Sequence, residues 1–351
     1  MEHTSNVKPS ILIVGSFLNT APLDRYVSGD LAQRLHSRGW KVTITSRQTN
    51  RVLRLADMLS TTWKRRHHYD VALVDVFSGP AFIWAEAVCC LLRALQKPIV
   101  LTLHGGNLPE FSRRFPRRVL SLLQRAAAVT TPSRYLQEQM ALFRRDLQLV
   151  PNPVDIRAYP FELRQAPRPR LVWLRAFHEI YNPTLVPRIT AELAQDFPAL
   201  TVTMVGPDKA DGSLQRTRAL ANQLGVAGRI SYPGPVTKAE VPARLNQGDV
   251  FLNTARVDNT PVSLLEAMAC GLCVVSGRVG GIPYLLDDGS DALLASPDNP
   301  RRMAQAVRRI YHEPKLAEHL SRNGRRKAER FDWSVIFSAW EAVLIAAANV
   351  R

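Results

Sequence analysis

At 351 residues the chain is long enough for two domains of about 150 residues each. Hydrophobic residues make up 46% and charged residues 22%, ordinary globular usage that excludes disorder and collagen-like repeats. The formal charge is +16 and it is unevenly placed: residues 1–150 hold 21 basic against 10 acidic side chains. The N-terminal half is therefore expected to meet an anion, whether a phosphate-bearing substrate, lipid headgroups or nucleic acid.

No apolar run approaches the ~20 residues that span a bilayer. The richest, 81–95, is broken by Glu86 and Arg93 and fits a buried helix. Met1-Glu2-His3 carries an acid where a secretory signal has its basic region, so the expectation is a cytoplasmic protein. Four cysteines call for no disulfide framework.

Taken in chain order, residues 11–14 read as a buried strand ending at Gly15, and 24–37 have helical spacing (Tyr26, Val27, Leu31, Leu35) up to Gly39. Residues 41–45, 71–76, 99–103, 129–131 and 148–150 read as further strands with apolar helices between them. This alternation of continuous apolar strands with helices predicts a parallel sheet covered on both faces. Pro151-Asn152-Pro153 interrupts it, and 166–170, with Pro167 and Pro169, reads as a linker. The pattern then restarts, with strands over 171–174, 201–205, 229–232, 250–253 and 273–276. Helices are expected over 183–195, 213–224, 238–246 and 262–269, and again from Pro300, Pro314 and Trp333. The organisation expected is two Rossmann-like, doubly wound domains, 1–165 and 166–332, with a last helix at 333–351 packed back on the first. Two such domains facing each other would form a cleft at the carboxyl ends of their strands, where open α/β sheets bind ligands.

The most informative stretch is Asp258-Asn259-Thr260-Pro261-Val262-Ser263-Leu264-Leu265-Glu266. It follows a strand and opens a helix, so Pro261 fits a first turn whose unpaired N–H groups attract phosphate. Two acids eight positions apart could both reach a sugar held there. Taken alone, the pair also fits an Asp near an N-cap and a Glu on a solvated face. The helix start, Glu266-Ala267-Met268-Ala269-Cys270-Gly271, Gly280-Gly281-Ile282-Pro283, Asp287-Asp288-Gly289 and Val150-Pro151-Asn152-Pro153-Val154-Asp155 occur in an order that resembles the retaining glycosyltransferases of family 4.

That resemblance implies the GT-B fold and a nucleotide-sugar site in the C-terminal domain, with Asp258 and Glu266 as the acids of the family's E-x7-E motif. Donor-binding positions would be Gly206, Asp258, Asn259, Thr260, Pro261, Val262 and Ser263. Arg175, after the 171–174 strand, matches the family's donor-diphosphate arginine. A guanidinium there would stabilise charge building on a departing diphosphate, although a surface arginine would read the same way. The family's following lysine is missing from His178-Glu179-Ile180-Tyr181-Asn182-Pro183, which leaves Lys209 or Arg256 as substitutes. His104-Gly105-Gly106, after the 99–103 strand, matches a histidine that lies near the transferred sugar and would donate to a sugar hydroxyl; a capping or core histidine fits equally. The first loop lacks the family's paired glycines, and its Ser16, Asn19 and Thr20 are expected to bind the acceptor.

Basic groups cluster at Lys64-Arg65-Arg66-His67-His68 and at Arg113, Arg114, Arg117, Arg118 and Arg125. Residues 51–63 carry Val52, Leu55, Met58 and Leu59 at helical spacing, and fit either an anionic membrane surface with Trp63 at the interface or a helix packed on the sheet. Nucleic acid is not expected, since no recognition motif accompanies the charge. Cys270 and Cys273 form a lone C-x-x-C without a second ligand pair and read as structural, so no metal is expected. The function expected is retaining transfer of a sugar, without a cofactor, from a nucleotide diphosphate to a hydroxyl of a glycan or lipid-linked acceptor. Arg175, Glu266 and His104 would carry it. The alternatives are an epimerase or phosphorylase on the same fold, and a non-catalytic polyanion- or membrane-binding relative.

Overall fold

The structure, a computed structural model, describes residues 8–17 and 27–350. They divide into two compact units, one formed by residues up to Pro151 together with 336–350, the other by 152–335. Asn19 and Thr20 lie outside the described residues.

The first unit holds a six-stranded parallel sheet: β1 (Ile11–Val14), β2 (Val42–Thr45), β3 (Val71–Val76), β4 (Ile99–Leu103), β5 (Ala128–Thr131) and β6 (Gln148–Leu149), in the order β2-β1-β3-β4-β5-β6. β1, β3, β4 and β5 are buried along their whole length, as continuous apolar runs require when both faces are covered. The crossovers are α1 (Val27–Ser37), α2 (Arg51–Lys64), α3 (Phe82–Ala94), α4 (Leu108–Arg114), α5 (Pro116–Leu123) and α6 (Arg134–Met140). The Asn50 side chain caps α2 by accepting from the Val52 and Leu53 N–H groups at 2.9 and 3.2 Å, and Ser133 caps α6 through the Leu136 N–H. α2 buries Met58 and leaves Leu59 packed on the core, so this part of the apolar stripe serves the fold; Val52, Leu53 and Trp63 remain exposed.

The second unit has β7 (Arg170–Leu174), β8 (Thr201–Val205), β9 (Ile230–Gly234), β10 (Val250–Asn253), β11 (Cys273–Gly277) and β12 (Leu293–Ala295), all parallel in the order β12-β11-β10-β7-β8-β9. Its helices are α7 (Leu185–Leu193), α8 (Ser213–Gln223), α9 (Val241–Leu245), α10 (Val262–Ala269), α11 (Ile282–Leu285), α12 (Pro300–His312) and α13 (Pro314–Glu329). β12 was not expected: three residues behind the turn Asp287-Asp288-Gly289 give too little pattern to read as a strand. α7 and α9 are shorter than their apolar spacing predicts.

Residues 152–165 sit with the second unit, so the cut falls after Pro151 rather than after residue 165. A buried charge cluster explains this. Arg164 pairs with Asp249 at 2.9 Å, both almost wholly buried, and Arg170 meets the same carboxylate at 2.9 Å. Removing one partner from such a pair strands a buried charge, which costs far more than the pair gains. The last helix, α14 (Trp333–Ala348), joins the first unit from Ile336 on. There Glu341 accepts from Trp40 Nε1 and Lys8 Nζ, each at 3.0 Å.

Cys89, Cys270 and Cys273 are buried, and burial pushes each thiol up to about 12, whereas Cys90 is exposed. Since the thiolate is the reactive form, iodoacetamide at neutral pH should label Cys90 alone in the native protein and all four cysteines after denaturation. Mass spectrometry of the intact chain reads the difference directly.

Candidate functional site

In each sheet the strand order reverses once, between β1 and β3 and between β10 and β7. Connections leave such a point in opposite directions and open a crevice at the strands' carboxyl ends. In the second unit the loops that follow β7 and β10 hold Arg175 and Asp258, so the topology alone brings together residues 83 positions apart.

Arg175 pairs with the Asp258 carboxylate, and its guanidinium lies over the Tyr181 ring at 4.8 Å from the centroid. A charge partner on one side and a π face on another hold the planar fork in place. Its Nε–H is buried and has no acceptor among the described residues. The Asp258 carboxyl is pushed up by burial; Arg175 and the Asn259 N–H, which donates to Oδ1 at 3.0 Å, work against that.

Glycines make this arrangement possible. Gly206, after β8, has φ +149°, and a Cβ there would overlap the Arg175 carbonyl oxygen. Gly280 has φ +48° and packs in the same manner against the Asp258 carbonyl, which also accepts from the Gly281 N–H at 3.1 Å. The backbone around both charged residues is thus clasped by positions that admit no side chain.

α10 begins with Pro261 at its N-cap, in extended conformation, one position earlier than a first-turn proline. Of the N–H groups expected to face a ligand, Pro261 has none and that of Asn259 is used by Asp258. The Thr260 carbonyl accepts from Asn152 Nδ2 at 3.1 Å, which ties the Pro151-Asn152-Pro153 segment to this loop. Ser263 Oγ is buried and has no hydrogen-bond partner among the described residues. Glu266 is buried rather than solvated, and its Oε1 accepts from the Tyr159 hydroxyl at 2.6 Å. Spacing gave no sign of Tyr159 or Tyr181.

Both candidate substitute cations are tied through their backbone to the loop that follows β7. Arg256 gives its guanidinium to Asp298 at 3.0 Å and its N–H to the Ile180 carbonyl at 2.8 Å. Lys209 is exposed in the loop after β8, where its N–H donates to the Phe177 carbonyl at 3.2 Å.

In the first unit His104 follows β4, beside the other reversal point. Its Nε2 lies 3.0 Å from Asp75 Oδ1, and its ring stacks on Phe77 with centroids 4.9 Å apart. Ser16 follows β1, with its Oγ buried and unpartnered among the described residues.

The family described as "Glycosyl transferases group 1" matches residues 161–327, and "Glycosyltransferase Family 4" matches 50–158. Among curated relatives, the D-inositol 3-phosphate glycosyltransferase of Acidothermus cellulolyticus is 26% identical over 269 residues, covering 71% of this chain and 60% of that protein. The protein of the same name from Streptomyces bingchenggensis is 29% identical over 157 residues, 43% of this chain and 34% of its own length. The chain therefore spans between a third and two-thirds of these relatives. Among solved structures, Anabaena HepE in complex with UDP and glucose superposes with a TM-score of 0.78 at 19% identity, covering 96% of this chain and all of that one. Sucrose-phosphate synthase from Thermosynechococcus elongatus gives 0.79 at 17% identity, with 97% and 100% covered. At these identities the likeness is one of fold, and the fold is GT-B. With its two halves matched by these two descriptions, the chain belongs to the group 1 glycosyltransferases of family 4.

Proposed function

We propose that this chain is a retaining glycosyltransferase that moves a sugar from a nucleoside diphosphate to a hydroxyl of an acceptor. The observation that carries this is Arg175, a half-buried guanidinium fixed between Asp258 and Tyr181, whose buried Nε–H has no acceptor among the described residues. A fixed cation with a free donor is suited to a diphosphate whose charge grows as the sugar leaves. In this reading protein cations, not a metal ion, meet that charge. Glu266, held by Tyr159, positions the donor, and Asp258 takes the sugar end. Attack from the face the diphosphate leaves retains configuration at the anomeric carbon. Uridine diphosphate is the nucleotide to try first, since HepE is crystallised with it.

Thermal-shift ranking of uridine, guanosine and adenosine diphosphates and their sugars tests the reading, because a bound ligand raises apparent stability with ln(1 + [L]/Kd). Asp258→Ala should reduce stabilisation by the nucleotide sugar by more than that by the free diphosphate. Equal losses would make Asp258 a structural residue only, and no stabilisation by any of these compounds would reject the nucleotide-sugar site.

For the acceptor we propose a glycan or lipid-linked hydroxyl on the basic first unit. The names of the relatives add inositol phosphate as a compound to assay. The first unit also exposes Trp63 beside Lys64, Arg65 and Arg66 at the end of α2, and Val52 and Leu53 at the start of the same helix. Among the described residues no helix is long and apolar enough to cross a membrane, so contact through this face would be peripheral. Sedimentation with vesicles containing phosphatidylglycerol should pull the protein down at low salt, and Trp63→Ala combined with Arg65→Glu and Arg66→Glu should abolish this. Binding to purely zwitterionic vesicles, or no change in that variant, would move the contact elsewhere.

A further inference from the structure

Asp75 is the last residue but one of β3 and is almost fully buried, yet it belongs to none of the motifs that point to the donor site. Its carboxylate takes the Ser28 hydroxyl at 2.8 and 2.7 Å and lies 3.0 Å from His104 Nε2. Gly15 forms the wall on the other side, where any Cβ would overlap Asp75 Oδ2. The carboxylate is thus fixed from three directions. His104 is fixed as firmly: Phe77 stacks on its ring, and its backbone N–H donates to the Val76 carbonyl at 2.8 Å.

An ionised carboxylate only accepts hydrogen bonds, so the imidazole nitrogen facing it must carry the proton. In a neutral ring the other nitrogen, Nδ1, then holds a lone pair and no hydrogen. Nδ1 has no partner among the described residues, and the His104 side chain is 14% exposed, so a small group can reach it. A cavity of about 30 Å³ adjoins Asp75 and the Phe77 ring that stacks on His104, lined also by Gly15, Ser16, Met58 and Trp84; His104 itself does not line it. It is large enough for a water or a hydroxyl, and the unpartnered Ser16 Oγ lies on its wall.

We infer that Asp75 is a positioning residue that locks His104 in its Nε2–H tautomer, so that Nδ1 accepts a hydrogen bond from a hydroxyl of the bound acceptor, a carbohydrate or cyclitol, rather than from the transferred sugar. The polarity is the reverse of the donating histidine expected from the sequence. The identity of the ligand rests on the function proposed above; the tautomer does not.

Long-range ¹H–¹⁵N spectra of histidine-labelled protein read the tautomer without any assay of activity, and the His104 signals are assigned by their loss in His104→Gln. The unmodified protein should show the proton on Nε2. Asp75→Asn presents an amide that can donate to Nε2 and should move the proton to Nδ1, whereas Ser28→Ala should leave it on Nε2. A proton on Nδ1 in the unmodified protein overturns the inference even if the Asp75 variant does not fold, and so does an unchanged spectrum in a folded Asp75→Asn.

Kinetics test the ligand. Asp75→Asn should raise the acceptor KM about tenfold, the size of one hydrogen bond to substrate, and leave nucleoside diphosphate binding unchanged. An unchanged acceptor KM alongside a switched tautomer overturns the role of Nδ1. If the unmodified chain transfers no sugar, the proposed function falls, and the spectrum alone decides the tautomer.

Discussion

Arg175→Ala should lower kcat by roughly 30- to 1000-fold, the loss of ~2–4 kcal/mol of charge stabilisation in the transition state. The free nucleoside diphosphate should lose less affinity than this, because charge on the diphosphate is greatest once the sugar has begun to leave. One complication follows from the pairing. Without Arg175 the buried Asp258 carboxylate has lost its counter-charge, and a stranded charge lowers stability independently of catalysis. Burial already pushes that carboxyl up, so in the single variant it would take up a proton more readily still. The double variant Arg175→Ala, Asp258→Asn separates the two effects: thermal stability should recover while turnover stays low. Arg175→Lys keeps the charge but loses the planar fork that lies on Tyr181, and should fall between the single variant and the unmodified protein. Unchanged turnover in Arg175→Ala, measured as nucleoside diphosphate release, would remove the residue from the mechanism.

The residues that carry this expectation differ in how far a sequence can disclose them. Long apolar strands such as Val71–Val76 and Ile99–Leu103 lie where alternation and β-branched runs placed them, because burial on both faces leaves a local imprint. The three-residue Leu293–Ala295 leaves none, since it is held as an edge strand by pairing with its neighbour rather than by its own composition. Arg175 and Asp258 stood out singly through motifs at strand ends. Their pairing needs the strand order, because only the β10–β7 adjacency makes residues 83 apart into neighbours. Tyr159, 107 residues from Glu266, Tyr181 under Arg175 and Asp75 beside His104 belong to no local pattern. Tertiary geometry selects such partners, and a tyrosine or aspartate at these positions would serve an ordinary core or turn equally well. The helix over 51–64 shows the converse. Its apolar spacing was legible, but which residues it would bury depended on where it landed on the sheet.

Gly206→Ala should be the most damaging substitution at a position that offers no chemistry of its own. The residue has φ +149°, a region that L side chains rarely adopt, and its Cβ would have to occupy the space of the Arg175 carbonyl oxygen. Backbone is a poor partner to displace. The Arg175 N–H is bonded to the Val205 carbonyl at 3.1 Å and the Gly206 N–H to the Gly234 carbonyl at 3.0 Å, so relief of the clash must break register at the end of β8 or push the β7 loop outward. Strain of this kind costs about 3 kcal/mol. For a unit of this size each kcal/mol shifts Tm by roughly 2–4 °C, so calorimetry should show the transition of the second unit lowered by about 6–12 °C. The catalytic consequence follows from the direction of movement. A displaced β7 loop carries Arg175 away from Asp258 and Tyr181, and a misplacement of about 1 Å at such a group is enough for a loss on the order of 100-fold. Turnover should therefore fall even at temperatures where the variant is fully folded, and raising the nucleotide-sugar concentration should not restore it. A variant that melts with the unmodified protein and turns over normally would show that the close packing of Gly206 on Arg175 does not hold the site together.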